Sequence, residues 1–103
     1  MFKKMRGIKI SYERQGFVRF CCLTYDDQPR EVQHRITNLC LRIGGDDWQA
    51  LFELMTTPES AVNVSVKHHI SASVLYRLRQ KFYYAWYDEN YQPAAKLPGI
   101  GLN

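Results

Sequence analysis

Cys21, Cys22, Cys40, His34, His68 and His69 are the side chains from which this chain would have to build a metal centre or a nucleophilic pair. Their spacing argues against both. Structural zinc uses one close ligand pair followed by a second pair. Cys21 and Cys22 are adjacent, and on the strand expected there they would point to opposite faces. Cys40 falls in the apolar stripe of a helix and reads as core. No glycine-rich elbow accompanies a cysteine–histidine pair. Gly44-Gly45 lacks the lysine-serine continuation of a phosphate loop and reads as a helix stop. Asp46-Asp47 reads as a helix cap, not as paired carboxylates. The expectation is a protein without metal, cofactor or catalytic centre.

A second set of side chains is suited to reversible hydrogen bonding. Ser71, Ser73, Tyr76, Arg77 and Gln80 fall mostly on one helical face, with Lys67, Arg79 and Lys81 close by. Charge is unevenly distributed around them. Residues 1–25 carry six basic side chains against the single acid Glu13, and residues 26–59 are net acidic. Ser60 to Tyr87 holds four basic residues, two histidines and no acid. A basic segment on an otherwise mixed surface is the footprint of a polyanion binder, or simply of a solvated helix face.

These residues need elements to hold them. Ile8, Ile10 and Tyr12 alternate with polar residues, Glu13-Arg14-Gln15-Gly16 offers a turn, and Phe17–Tyr25 is rich in strand formers. A β-hairpin over 7–25 is therefore expected. Val32, Ile36, Leu39, Cys40 and Ile43 predict a helix over 29–43. Asp46 with Gln49 resembles a capping box opening a helix over 46–56, with Trp48, Leu51, Phe52 and Met55 inward. Residues 58–68 are divided. Val62, Val64 and Val66 alternate like a strand, whereas Thr57-Pro58-Glu59 opens like a helix with Thr57 as cap. Helix is the preferred reading. Ser71 or Ser73 caps a last helix over 71–87, with Val74, Leu75, Leu78, Phe82 and Ala85 inward and Tyr83, Tyr84 and Tyr87 largely outside. The expected fold is α+β and mostly α: a hairpin, then four helices, within one domain over 1–90. The tail 91–103, with Pro93, Pro98, Gly99 and Gly101, is expected to be irregular.

On the helix reading, 58–68 and 71–87 are joined by a short link at His69-Ile70-Ser71. Ser65 is small where a second helix would cross, and Ile70 plugs the turn. The run Ile70-Ser71-x-Ser73-x-Leu75-Tyr76-Arg77 resembles the turn and recognition helix of helix-turn-helix domains of the homeodomain-like, transposase and sigma-region-4 types. The resemblance covers about residues 46–87. It departs from the pattern at His69, where glycine is usual, and at His68, where an apolar residue is usual. It implies a double-stranded DNA partner read by helix 71–87. Arg77 and Gln80 would contact base edges, Tyr76 a thymine methyl or phosphate, and Ser71 and Ser73 a phosphate at the helix start. Lys67, Arg79 and Lys81 would neutralise flanking phosphates.

Composition bounds the rest. The hydrophobic fraction of 46% fits one globular core, and no apolar run approaches a membrane span. No signal-peptide core follows the basic start, and three cysteines make a poor disulfide framework, so a reduced cytoplasm is the expected compartment. A small regulator or accessory protein of a bacterial mobile element or phage fits this size, its basic N-terminus and hairpin (Lys3, Lys4, Arg6, Lys9, Arg14, Arg19) suited either to touch adjacent DNA backbone or to make a homodimer contact by strand pairing. The alternative is a protein-binding inhibitor or adaptor, anti-CRISPR-like, using the hairpin edge and exposed tyrosines.

Overall fold

Ser11 begins a helix where a hairpin was expected. Its Oγ accepts the Arg14 amide at 3.2 Å, and α1 runs Tyr12–Leu23. The computed structural model describes residues 10–88, 90 and 91. Among these there is no strand. The expected hairpin is corrected accordingly, though its first residues, 7–9, lie outside the described residues, as do 92–103 of the tail. The physical reason is the inward set Gln15, Val18, Cys21 and Cys22, which recurs at helical spacing. Gly16 lies in mid-helix and makes no turn. Phe17 and Phe20 looked like a return strand, but both face solvent, 56% and 60% exposed.

The α2 helix spans Arg30–Gly44. Pro29 precedes it and accepts the amides of Val32 and Gln33, both at 3.0 Å. Gly45 ends it at φ +56, a left-handed conformation that glycine adopts without cost from a side chain. A Cβ on Gly44 would come within 3.3 Å of Trp48 Cβ, so the close approach of α2 to the next helix depends on that glycine. The expected Asp46 cap does not form. A single 3-10 turn, Gly45–Asp47, leads into α3, Trp48–Thr56, with no side-chain cap bond at either point.

α3 packs against all four other helices. It buries Ala50, Leu51, Leu54 and Met55, while Trp48 and Phe52 remain half-buried. Its apolar residues surround it, as a central helix requires.

Residues 61–68 settle as helix, α4, Ala61–His68. The cap is Ser60, whose Oγ accepts the Asn63 amide at 3.1 Å, and not Thr57, whose hydroxyl turns back to the Glu53 carbonyl. Only Val64 of the alternating valines is buried, with Val62 and Val66 at 55% and 69% exposure. A strand would have turned all three the same way.

The α5 helix spans Ala72–Tyr87. Leu75, Phe82 and Ala85 are buried as expected, with Val74 and Leu78 half-buried. Tyr83 was expected outside and is instead 1% exposed. It lies on the side where α1 packs. The Tyr83 hydroxyl pKa is pushed up by burial, partly opposed by the charges of Arg19 and Arg79.

Candidate nucleic-acid interface

The link between α4 and α5 is three residues. His69 takes φ 59, ψ 41, the left-handed position that glycine normally fills. The Ile70 amide returns to the Ser65 carbonyl at 3.1 Å, the six-to-one bond of a Schellman end. Ile70 itself packs on the core. Ser71 then caps α5, its Oγ accepting the Ser73 amide at 3.1 Å, and the two hydroxyls are 2.7 Å apart. Histidine in this conformation carries steric strain that glycine lacks. His69→Gly is expected to stabilise the protein by about 0.5–1 kcal/mol, after allowing for glycine's freer unfolded chain. A thermal melt would read this as a rise of a few degrees. A fall would show that the His69 side chain holds the link.

The eight sequence-chosen side chains separate into three groups. Ser71, Ser73, Tyr76 and Arg77 are exposed along the first half of α5. Arg77 has no ion pair or hydrogen bond among the described residues. Gln80 continues the same stripe but is half-buried and already engaged. Lys81, at the edge of the stripe, is half-buried.

Lys67 and Arg79 are diverted into internal roles. Lys67 Nζ meets Glu53 Oε2 at 2.6 Å, and His68 Nε2 meets Glu53 Oε1 at 2.9 Å. Glu53 thus ties α3 to α4. Hydrogen bonds from His68 and Lys67 hold its carboxyl below the usual carboxylate range. Arg79 folds back over the Tyr76 ring at 5.4 Å, with its Nε buried and unpaired. Burial draws the Arg79 pKa down, Tyr83 opposes this, and nearby Arg19 adds to it.

The sequence reading overlooked a groove on α2. Arg35, Asn38, Leu39 and Arg42, with Ala85 of α5, line a cavity of about 490 Å³. Arg35 lies over the Trp86 ring at 4.4 Å and donates to the Trp86 carbonyl, while Arg42 donates to the Tyr91 carbonyl at 3.3 Å. Their spacing of three and seven residues puts them on one helical face, a signal present in the sequence.

Arg19, grouped with the basic residues of the expected hairpin, does something else. Nη1 donates to the carbonyls of Leu54 and Met55 at 2.7 and 2.9 Å, and Nη2 to Thr57 at 3.1 Å. It caps the C-terminus of α3.

No family model, curated protein or solved structure matches the chain. Function therefore rests on the chemistry of these surfaces. Among the described residues, no His, Cys, Asp or Glu cluster could hold a metal, and no helix is long and apolar enough to cross a membrane. The cysteines are buried and free. Burial pushes the Cys40 thiol up to about 12 and the Cys22 thiol higher still.

Proposed function

We propose that the protein binds double-stranded DNA without catalysis, presenting the first half of α5 to the major groove. The observation that carries this reading is the exposed stripe Ser73, Tyr76 and Arg77, with Arg77 unpaired among the described residues, directly after a three-residue link with a left-handed residue and a serine cap. Ser71 and Ser73 sit where the helix dipole favours a phosphate. Arg77 has the planar fork that matches a guanine edge. Gln80 and Lys81 would have to swing outward to join, and Lys67 would share its charge with Glu53. A small regulatory or accessory role in a reduced cytoplasm, of the kind mobile elements and phages encode, fits the size and the free thiols.

The protein-binding alternative loses the hairpin edge first expected of it, while Tyr87 stays 40% exposed. No strand exists among residues 10–25 to offer an edge. Tyr83 is buried, Tyr84 stacks on Tyr91, and Tyr87 donates to the Arg14 carbonyl at 3.0 Å.

Fluorescence anisotropy of a labelled random-sequence duplex, titrated across salt, tests the proposal. Binding is expected to weaken linearly in log–log form, with a slope of roughly −0.9 for each phosphate neutralised. Arg77→Ala is expected to weaken binding about tenfold and leave the thermal melt within about 0.5 kcal/mol of wild type. Absence of binding even at low salt would sink the reading.

A further inference from the structure

The groove between α2 and the end of α5 lies beyond the exposed stripe of α5. Arg35, Asn38 and Arg42 stand exposed on one face of α2, above the buried Leu39 and Ala85. The charge of this helix is positive. α2 carries Arg30, Arg35 and Arg42 against one acid, Glu31. Glu31 stands one turn before Arg35, yet Arg35 makes no ion pair among the described residues. It meets the Trp86 ring and donates to the Trp86 carbonyl, and both are uncharged. A guanidinium has five N–H donors, so most of its bonding capacity remains. Asp88, at the end of α5, turns its carboxylate to the Asn90 amide at 3.0 Å.

The place of the groove on α5 points to what it meets. Ser73, Arg77, Lys81 and Ala85 form one row of i, i+4 neighbours along the helix. On that row Ala85 lies about 12 Å beyond Arg77 and about 80° round the axis. A helix about 10–12 Å across nearly fills a major groove about 12 Å wide, so its flanks face walls of backbone phosphate. With Arg77 turned to the base edges, Ala85 and the α2 arginines beside it stand at one flank. We infer that Arg35, Asn38 and Arg42 form a second DNA contact, which holds phosphates on one wall of the groove that α5 enters. This inference rests on the α5 reading. Each arginine can give a phosphate two parallel N–H bonds, and the Asn38 amide can donate between them. Such contacts fix register and carry no sequence information. They supply what the stripe itself lacks, since Lys67 and Arg79 are turned to Glu53 and Tyr76.

The salt titration with the labelled random duplex tests this with Arg42→Ala and Asn38→Asp, beside wild type and Arg77→Ala. Arg35 is left in place because it also bonds the last turn of α5. Arg42→Ala is expected to weaken binding by roughly three- to tenfold at about 0.1 M salt, and to flatten the log–log slope by roughly 0.9. Asn38→Asp sets a carboxylate between the two arginines, one turn from each. Duplex binding is expected to weaken about tenfold while the melting temperature holds or rises, because the new i, i+3 and i, i+4 pairs support α2. A face with only a structural role would shift the melt and leave slope and affinity unchanged, which overturns the inference. Loss of binding confined to Arg77→Ala also overturns it and leaves the α5 reading standing. Loss confined to the two α2 variants keeps α2 as the phosphate contact and overturns the α5 reading. A wild type that binds no duplex even at low salt overturns both.

Discussion

Arg19→Ala is expected to destabilise the protein by about 3 kcal/mol, a loss of roughly 15 °C in melting temperature for a domain this size. The guanidinium reaches from α1 to the C-terminus of α3 and satisfies the carbonyls of Leu54, Met55 and Thr57. The last carbonyls of a helix have no partners within it, and they form the negative end of its dipole. Leu54 and Met55 are fully buried residues, so water replaces the lost donors poorly. Each buried acceptor left bare costs about 1–3 kcal/mol, discounted here because Thr57 sits nearer the surface. Arg19→Lys should recover only part of the loss, because one ammonium cannot fork across three oxygens. Urea unfolding of the three proteins decides this. A loss below about 0.5 kcal/mol for alanine would mean that water completes the cap.

Tyr83→Ala is expected to cost still more, about 3–5 kcal/mol, which is the range for removing a buried aromatic. Tyr83 is 1% exposed and belongs to the central core with Phe82 and Cys22. Tyr87→Ala, on the next turn but 40% exposed, should cost about 1 kcal/mol. The contrast between the two tyrosines is the sharper test, because both looked alike from the periodicity of α5. Equal and small effects would show that the cavity at position 83 collapses or that α1 does not close over it.

The same two residues show what could be read from the sequence. α2 and α5 were readable to within a residue or so, because each has polar residues outside and a narrow apolar stripe within. The α4 segment was readable only as a choice, and the choice turned on a cap. Ser60, Asn63 and the left-handed His69 frame a helix around valines whose alternation suits a strand. α1 was misread because its outer side is as apolar as its inner side. With Phe17 and Phe20 outside and Val18 and Cys22 inside, helix and strand periods fit equally well, and composition tipped the balance toward strand. The error then spread. Without a helix there, nothing covered Tyr83, and Arg19 had no route to α3, thirty-five residues away in sequence. At the candidate interface, the stripe on α5 followed from spacing alone. The diversion of Lys67 to Glu53 and of Arg79 onto Tyr76 did not, since both depend on how α3 and α5 are placed.

The buried thiols have a use that concerns time rather than structure. Burial pushes the Cys40 thiol up to about 12, which disfavours the reactive thiolate at neutral pH, and packing hides the sulfur from reagents. Cys22, fully enclosed beside it, is more reluctant still. At Cys22 and Cys40 alkylation can proceed only when the chain opens, and an opened cysteine reacts at its ordinary rate. The protein therefore carries its own stopwatch. Modification by a small alkylating agent counts excursions from the folded state, and the ratio of folded to unfolded labelling rates gives the opening free energy without denaturant.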